Sequence, residues 1–302
     1  MLKPRYTIRL MTRQDLDLAI DWAAAEGWNP GLQDADCFYA ADADGFLMGW
    51  LAGQPIAAIS VVKYGDRFGF LGFYIVRPEF RGQGYGWQLW QAGLATLSGR
   101  NIGLDGVVAQ QENYVRSGFT LAHRNIRYSG RRLDSLSLDL LSLGSDAATD
   151  HSVVSLASDP SSMPPSILIE QVIAYDQAFF PALRAAFMRC WLTRSQRYAV
   201  GILHDSQIAG YGVIRPCREG YKVGPLLADT PQFAAAIFRV LQAHLPIGSE
   251  FYLDVPAVNA EAIALAESYA MTPVFETARM YTQSAPKLPL ERTFGITTFE
   301  LG

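Results

Sequence analysis

The order of apolar and polar positions along the chain predicts two similar series of helices and strands. Apolar residues at helical spacing indicate the helices, and short apolar runs between turn residues indicate the strands. The first series is a helix at 15–28, two strands around a turn at 46–65, a strand at 68–76, a helix at 86–98, a strand at 102–109, a short helix at 111–117 and a closing strand at 123–129. The second series is a helix at 179–192, strands at 197–204, 208–216 and 221–228, a helix at 230–245, a strand at 250–256, a helix at 259–270 and a strand at 276–282.

The two series also match at a constant spacing. The apolar segment IAAISVV from Ile56 resembles the segment IAGYGVI from Ile208, which lies 152 residues later. The same spacing returns near the end of both series, where it places Arg127 on Arg279. Shared order, spacing and residue character favour an internal duplication.

A polar segment separates the two series. Residues 144–166 are rich in Ser, Asp, Ala and Pro and lack sustained periodicity, which predicts a linker. The chain then divides into a first domain at 1–143 and a second domain at 167–302. Its 302 residues are enough for two compact cores. The mixture of helices and strands predicts an α/β (α+β) fold class with mixed sheets.

Composition and charge argue against several classes of protein. Half of the residues are apolar and 18% are charged, as in ordinary globular proteins. The formal net charge is −4, whereas nucleic acid or an anionic membrane would favour a basic surface. No apolar run reaches the roughly 20 residues of a membrane span, and no export signal is visible. We therefore expect a cytoplasmic protein with neither a nucleic-acid nor a membrane partner.

The cysteines support the same location. Cys37, Cys190 and Cys217 are far apart and show no CxxC spacing. This pattern predicts reduced, buried thiols, with neither a disulfide framework nor a metal site.

A glycine-rich segment is the first candidate for chemistry. The sequence RGQGYG, Arg81–Gly86, follows the strand at 68–76 and opens the helix at 86–98. The first turn of a helix leaves backbone N–H groups without acceptors, and glycine lets an anion approach them. Arg81 adds a full positive charge. The segment predicts a pyrophosphate site, and a tight turn without a ligand is the structural alternative.

Two other phosphate-binding loops fit this segment less well. A P-loop would end in Gly-Lys-Ser/Thr, whereas this loop ends in Gly86 and Trp87. A dinucleotide-binding fold would place the loop after the first strand of a parallel sheet, whereas here the preceding strand is the third of a meander.

Together with a second motif, the loop resembles the GNAT superfamily of acyl-CoA-dependent N-acetyltransferases. RGQGYG after FYIVRPEF is similar to the family's R/Q-x-x-G-x-G/A loop, and YVRSGF at 114–119 is similar to its Y-x-x-x-G-F motif. The resemblance covers residues 5–130, and the duplication resembles the tandem branch of the family. It implies two tandem GNAT-like folds, each a mostly antiparallel mixed sheet flanked by helices.

The resemblance also implies an acetyl-CoA site in the first domain. The strand before the loop would splay from its neighbour, and its backbone at Tyr74, Ile75 and Val76 would pair with the pantetheine arm. The pyrophosphate would bind the loop itself, which consists of Arg81, Gly82, Gln83, Gly84, Tyr85 and Gly86.

Tyr114 would be the general acid for the departing thiolate, as the motif tyrosine of the family is. A phenol with a pKa of about 10 can donate to a thiolate whose thiol has a pKa of about 8.5. One position departs from the family, because the usual Asn seven residues before the tyrosine is Val107 here. Gln110, or its neighbour Gln111, is the expected substitute in the cofactor pocket.

The second domain lacks both motifs. At the spacing of 152 residues, the loop falls on Phe233–Phe238 and Tyr114 falls on Ala266. We therefore expect one acyl-CoA per chain. The second domain would then supply stability, a wall of the acceptor site or a dimer surface, in a monomer or homodimer.

The acceptor amine must lose a proton, and the base is not obvious. Many family members place a Glu on the splayed strand, whereas residues 68–76 contain none. The candidate bases are Glu26, Asp36 and His123. The candidate substrate contacts are Trp28, Asn29 and Phe73, of which the first two lie in the helix–loop–helix region at 24–38 that lines acceptor sites in this family.

These features predict an N-acetyltransferase that acts on a small-molecule amine. No Cys or Ser stands in a recognisable nucleophile setting, so we expect direct attack in a ternary complex. The missing strand carboxylate leaves one alternative open, a non-catalytic protein that binds or senses acyl-CoA.

Overall fold

The computed structural model describes residues 5–133, 151–156 and 165–302, with the side chains of residues 165 and 166 excepted. We call the residues up to 133 the first half and those from 151 the second half. The first half contains β1 (Tyr6–Leu10), α1 (Arg13–Ala25), α2 (Asp34–Ala41), β2 (Phe46–Leu51), β3 (Gln54–Tyr64), β4 (Phe68–Val76), α3 (Tyr85–Thr96), β5 (Asn101–Val107), α4 (Gln111–Arg116) and β6 (Thr120–Arg131). The second half contains β7 (His151–Ser155), α5 (Pro165–Asp176), α6 (Ala185–Thr193), β8 (Tyr198–His204), β9 (Gln207–Pro216), β10 (Tyr221–Ala228), α7 (Pro231–Ala243), β11 (Glu250–Pro256), α8 (Ala260–Ser268), β12 (Thr272–Tyr281) and β13 (Thr293–Gly295).

Most predicted helices and strands are present, and one helix differs. The prediction placed a helix at 179–192, but α6 begins only at Ala185. Pro181 lies in the irregular segment before it, where its fixed φ and missing N–H oppose a continuous helix. The helix α5 and the strands β1 and β13 were not predicted as separate elements.

The predicted linker contains a strand. β7 lies inside residues 144–166 and pairs with β8 at the edge of the sheet, from His151 opposite His204 to Ser155 opposite Val200. The linker prediction is wrong for these residues, because a five-residue edge strand with a single partner needs little apolar sequence. Residues 144–150 and 157–164 of that segment lie outside the described residues.

One continuous sheet runs through both halves. Its strand order is β1-β2-β3-β4-β5-β12-β6-β11-β10-β9-β8-β7, and β13 pairs with β10 beside this path. The pairs β4–β5 and β10–β11 are parallel, and the other pairs are antiparallel. The predicted mixed α/β fold class is confirmed, and the two sheets that the sequence suggested are joined into one.

The join comes from an exchange of closing strands. β12 of the second half pairs with β5 of the first, and β6 of the first half pairs with β11 of the second. Arg127 stands directly opposite Asp254 in one join, and Arg279 stands directly opposite Asp105 in the other. Both arginines donate two hydrogen bonds to their buried carboxylate. The equivalence of Arg127 and Arg279 seen in the sequence therefore corresponds to equivalent places in the sheet.

The helices pack on the outer and inner faces of the sheet. α3 packs on the outer face of the first half, and α7 and α8 pack on the outer face of the second. The helices α1, α2, α5 and α6 lie between the halves and bury the inner face of each in a shared core. Among the described residues, none of the helices is long and apolar enough to cross a membrane.

The prediction of reduced cysteines is wrong for two of the three. Cys37 of α2 and Cys190 of α6 form a disulfide between the halves, with sulfur atoms 2.23 Å apart. Cys217 is free and buried, as expected. No local pattern could predict this pair, because only the packing of α2 against α6 brings these residues, 153 positions apart, together. The argument for a cytoplasmic location that rested on reduced thiols no longer applies.

Candidate active site

The strands β4 and β5 part in the middle of the first half. They are paired only from Phe68 to Leu71, opposite residues 101–104. Beyond that point β4 continues to pair with β3, and β5 continues to pair with β12. Phe73 lies at the parting, with a left-handed φ of 46° at an irregularity of the β3–β4 register. The facing edges of Tyr74–Val76 and Asp105–Val107 are thus free of strand pairing, and an extended ligand can pair with them.

The glycine loop lies at the outer end of this split. Gly84 is the N-cap of α3, has a φ of 83° and provides no side-chain cap. Gly82 has a φ of 74°, and a Cβ at either glycine would face open space. The N–H groups of the first helical turn have no intrahelical acceptors and face this space. The predicted loop therefore has the shape of an anion site at a helix N-terminus.

The third glycine of the loop has a packing role. A Cβ at Gly86 would lie 2.7 Å from the Tyr74 hydroxyl and 2.8 Å from a methyl group of Val76. Gly86 therefore lets α3 approach β4 closely. This contact places the helix N-terminus beside the split.

Arg81 connects the loop with the end of β4 and with the end of α1. Its Nε donates to the carbonyl oxygen of Val76 at 2.8 Å, and its guanidinium group forms an ion pair with Glu26. Glu26, one of the predicted bases, therefore lies at the loop and is paired with an arginine. A phosphate at the loop would compete with Glu26 for Arg81.

Tyr114 lies against the far wall of the split. A side chain at Gly106 of β5 would overlap its ring, and its ring centroid is 5.7 Å from that of Trp90. Burial, with a smaller effect of Tyr74, raises the pKa of Tyr114 to about 12. The phenol stays protonated at neutral pH and is available as a hydrogen-bond donor.

The two glutamines of this region differ in environment. Gln110 is exposed and accepts a hydrogen bond from Asn113 at 2.6 Å. The side-chain oxygen of Gln111 is buried and has no donor among the described residues. Gln111 therefore fits the place of the missing Asn better than Gln110, which was the predicted residue.

A small cavity lies on the inner side of the sheet, next to the paired part of β4. On β5, Gly103 and Asp105 face inward, whereas Leu104 and Gly106 face α3 and α4. The cavity is lined by Phe68, His123, Phe179, Phe180, Pro181, Arg184, Leu227, Arg279, Tyr281, Leu288, Leu290, Thr293, Ile296, Thr297 and Gly302. His123, a predicted base, thus lies in a cavity wall beside Arg279. Burial and the Arg279 guanidinium lower the pKa of His123 to about 4.

Ile296, Thr297 and Gly302 of the last segment, residues 296–302, line this cavity, and the sequence analysis did not single that segment out. It is buried throughout and runs along the inner face of β4. The Tyr64 hydroxyl donates to the carbonyl oxygen of Leu301 at 3.2 Å, and Arg184 donates to that of Gly302 at 3.2 Å. A side chain at Gly72 would overlap the Glu300 carbonyl group. Glycine at this strand position was the one available signal, because it permits close backbone approach.

The other predicted acceptor residues lie outside the cavity walls. Asp36 is paired with Arg13 and Arg194. The carboxamide of Asn29 bonds the backbone of Glu219 in the second half. The carbonyl oxygen of Trp28 accepts from Arg127 at 2.8 Å and from Lys222 of the second half at 3.4 Å. These three residues join the two halves, whereas Phe73 lies at the split.

The corresponding split of the second half is filled by the chain itself. β10 and β11 pair over Tyr221–Val223 and then part, and β13 pairs with β10 at Leu226 and Leu227. The Ile296 N–H donates to the carbonyl oxygen of Asp254 in β11 at 2.9 Å. At the start of α7, Thr230 caps the N–H of Phe233. In the described part of the second half, the split is therefore closed, and the helix that corresponds to α3 is capped by its own Thr230.

A mixed sheet with a split between β4 and β5, a glycine loop at a helix N-terminus and a tyrosine against the split define a GNAT-type acyltransferase fold. The sequence model of the acetyltransferase (GNAT) family matches residues 13–119, and that of an acetyltransferase (GNAT) domain matches residues 172–295. Both halves are thus GNAT domains, and the protein belongs to the GNAT superfamily.

Particular relatives extend over nearly the whole chain. The holothin acyltransferase of Pseudoalteromonas sp. (strain SANK 73390) is 29% identical over 98% of this chain and 95% of its own. A solved structure from Pyrococcus horikoshii has a TM-score of 0.75 at 19% identity, over 98% of this chain and 96% of that one. A tandem GNAT protein from the clavulanic acid biosynthesis pathway has a TM-score of 0.62 at 13% identity, over 94% and 100%. The two structures show that the tandem arrangement is a shared fold.

Proposed function

We propose that this protein is an acyl-CoA-dependent N-acyltransferase that transfers an acetyl group to the amine of a small molecule. The observation that most directly supports this function is that three features lie next to each other in the first half. The split, the open glycine loop and Tyr114 are adjacent, and the second half has none of them in a usable form. The similarity to an acyltransferase named for holothin supports a small-molecule acceptor.

The residues of the first half fit acetyl-CoA. The backbone of Tyr74–Val76 would pair with the pantetheine arm, and the N–H groups of Gly82–Gly86 would bind the pyrophosphate. Arg81 would release Glu26 and bind a phosphate oxygen. When bound, acetyl-CoA supplies an acyl group activated as a thioester.

The proposed reaction is direct transfer. The amine nitrogen attacks the acyl carbon, the C–N bond forms, and the C–S bond breaks with the electron pair going to sulfur. Tyr114 donates a hydrogen bond to that sulfur. The surplus proton of the nitrogen passes to His123 or to water on the inner face. A covalent cysteine intermediate is disfavoured, because burial raises the pKa of the Cys217 thiol and the other two cysteines form a disulfide.

We further propose that one acetyl-CoA binds per chain. β13 lies where a second pantetheine arm would have to lie, and Thr230 caps the helix that would have to bind a second pyrophosphate. In this proposal residues 1–143 form the cofactor-binding domain. Residues 167–302 form a domain that completes the acceptor side through the segment 296–302.

The cofactor proposal is tested by Gly84→Val with Gly99→Val as its control. Gly84 and Gly99 have nearly the same φ, 83° and 80°, and a Cβ at either faces open space. The backbone strain of the two variants is therefore matched, whereas only Gly84 lies at the proposed phosphate site. We expect titration calorimetry to show one acetyl-CoA per wild-type chain, at least a 100-fold weaker affinity for Gly84→Val, and an affinity near wild type for Gly99→Val. Equal losses in both variants would contradict the loop assignment.

The alternative is a non-catalytic acyl-CoA-binding protein. It is favoured by β4, which carries no carboxylate, and by Asp105 on β5, which Arg279 and Asn125 hold in hydrogen bonds. Release of free CoA with a panel of amines separates the two functions. Turnover with at least one amine supports the enzyme, and saturable acetyl-CoA binding without release from any amine supports the binding protein.

A further inference from the structure

The first turn of α3 carries a large aromatic side chain that is open to solvent. Trp87, the third residue of the helix, is 59% exposed. The other five tryptophans of the chain all lie within the described residues, and each of them is buried or half-buried. Trp87 forms no ring pair with an aromatic side chain of the described residues. Single exposed apolar side chains are common on proteins, and the place of this one beside the glycine loop gives it meaning.

The backbone of Trp87 belongs to the proposed phosphate site. The first hydrogen bond of α3 is donated by the Gln88 N–H to the carbonyl oxygen of Gly84 at 3.2 Å. The N–H groups of Tyr85, Gly86 and Trp87 come before it and have no acceptor in the part of the chain that the structure describes. A phosphate bound by these three groups would lie beside the Cα of Trp87, from which the exposed side chain starts.

The side chain extends beyond the outer end of the split. Trp87 lies one helical turn before Trp90, so the two indoles are on the same side of α3. Trp90 is buried, with its ring centroid 5.0 Å from that of Tyr74 on β4 and 5.7 Å from that of Tyr114. Trp90 therefore packs over the split itself. Trp87, one turn nearer to the loop, lies where a ligand leaves the split.

The surface between the loop and this indole is bare. A Cβ at Gly82 or at Gly84 would face open space. The side chain of Gln83 folds back and donates to the carbonyl oxygen of Glu79 at 3.0 Å. A flat group attached to the bound phosphate can therefore approach Trp87 without displacing these side chains.

We propose that the indole of Trp87 is a stacking surface for the adenine ring of the acyl-CoA donor. This inference rests on the proposed function and adds a purine site to it. In acyl-CoA the pantetheine arm and the adenosine are attached to opposite ends of the pyrophosphate. With the arm in the split and the pyrophosphate at the loop, the adenosine would lie on the solvent side, where Trp87 is exposed. An indole and a purine both present a flat π-face, and stacking of this kind contributes to affinity.

The second half supports the assignment by contrast. At the spacing of 152 residues, Trp87 corresponds to Arg239 of α7. The first turn of α7 is capped by Thr230, so this helix has no phosphate site of the same kind. The exposed aromatic ring thus occurs in the half that has the glycine loop.

The test compares two donors that differ in the adenosine part. Acetyl-CoA contains it, whereas acetyl phosphopantetheine has the same arm and one phosphate but no adenosine. In titration calorimetry, Trp87→Ala should weaken acetyl-CoA binding at least about fivefold, because removal of an aromatic ring that stacks on a base has at least this effect. The affinity for acetyl phosphopantetheine should stay within about twofold of wild type, since this donor has no ring to stack.

Two further variants separate stacking from other effects. Trp87→Phe keeps an aromatic ring and should retain most of the acetyl-CoA affinity. Gln91→Ala changes an exposed residue one turn further along α3 and should leave both affinities unchanged. Because Trp87 and Gln91 are exposed, urea unfolding of all three variants should match wild type.

The possible outcomes are distinct. Equal weakening of both donors in Trp87→Ala, or equal loss of acetyl-CoA affinity in Trp87→Ala and Trp87→Phe, would overturn the stacking role. Wild-type affinity of Trp87→Ala for acetyl-CoA would overturn it as well. If wild type binds acetyl phosphopantetheine too weakly to measure, the contrast between Trp87→Phe and Trp87→Ala on acetyl-CoA decides. Failure of wild type to bind acetyl-CoA would instead overturn the proposed function.

Discussion

Tyr114 illustrates how burial changes the chemistry available to one side chain. Its ring is packed between Gly106 and Trp90, and burial raises its pKa to about 12. A thiol has a pKa of about 8.5, so complete proton transfer from this phenol to a thiolate is unfavourable by several kcal/mol. A hydrogen bond to the developing charge on sulfur is the more favourable contribution.

Tyr114→Phe tests this role. The variant keeps the ring and removes the donor, so acetyl-CoA affinity should change little while kcat falls about 10²- to 10⁴-fold. The fall should appear in kcat and in kcat/KM alike, because the hydrogen bond strengthens in the transition state. Since the raised pKa keeps the phenol protonated, wild-type kcat should show no loss from Tyr114 ionisation up to about pH 10. Unchanged turnover in the folded variant would remove Tyr114 from the mechanism.

The exchanged strands β6 and β12 depend on buried ion pairs at equivalent places. Arg127 donates to Asp254 at 2.7 and 2.9 Å, and both side chains are at most 3% exposed. Burial opposes ionisation of Asp254, but the guanidinium group outweighs it, and the pKa of Asp254 is lowered. A buried pair of this kind is costly to break from one side only, since the remaining charge has no partner.

Arg127→Met should therefore lower the free energy of unfolding by about 3–5 kcal/mol near neutral pH. Without Arg127, we expect burial to outweigh the remaining attraction of Lys222 and Arg215 and to raise the folded-state pKa of Asp254 above the unfolded value. A carboxyl group with a raised folded-state pKa lowers the free energy of unfolding while it is ionised. This loss decreases as the pH falls through that pKa and the group becomes protonated. The difference from wild type should thus shrink from pH 8 to pH 5 in urea titrations. Adding Asp254→Asn to Arg127→Met should recover part of the lost free energy of unfolding. A loss that changes neither with pH nor with this second substitution would contradict the role given to the buried ion pair.

The two halves of the chain are one folding body in this structure. They share a sheet through exchanged strands, a core through α1, α2, α5 and α6, and the segment 296–302 that crosses from one inner face to the other. The disulfide between Cys37 and Cys190 adds a covalent connection across a sequence separation of 153 residues. Cross-linking so long a loop restricts the unfolded chain strongly.

Reduction should consequently destabilise the whole protein. The chain-entropy relation gives about 5 kcal/mol for a loop of this length. In urea titrations, the free energy of unfolding of the double variant Cys37→Ser/Cys190→Ser should be lower than that of wild type by a similar amount. Dithiothreitol should lower the free energy of unfolding of wild type to that of the variant and should not change that of the variant. Thiol titration of the unfolded chain should find one thiol, Cys217, before reduction and three after it. Three thiols before reduction would refute the disulfide.

Local pattern was sufficient for much of the fold and for the family. Strands such as 68–76, 221–228 and 250–256 were predicted with their observed bounds, because apolar runs between turn residues report burial on a sheet. The glycine loop and the Y-x-x-x-G-F motif identified the superfamily, which the family comparisons confirm. The individual roles of Tyr114 and of the loop residues stay predictions.

The acceptor side depended on contacts between distant residues. Glu26 and Asp36 looked like free acids in the sequence, and tertiary packing placed each beside arginines. The disulfide is likewise set by long-range packing, which no local pattern records.

The amino-acid sequence alone predicted the duplication, most of the elements and the glycine loop, because backbone preference, periodicity and helix-end geometry are local properties. Only the tertiary structure revealed the exchange of β6 and β12, the filling of the second split by β13 and the cavity beside His123. Each of these depends on which segments meet after the chain has closed loops of more than 60 residues, and one apolar strand resembles another until its neighbour is known. The partner of a buried charge is decided at that stage.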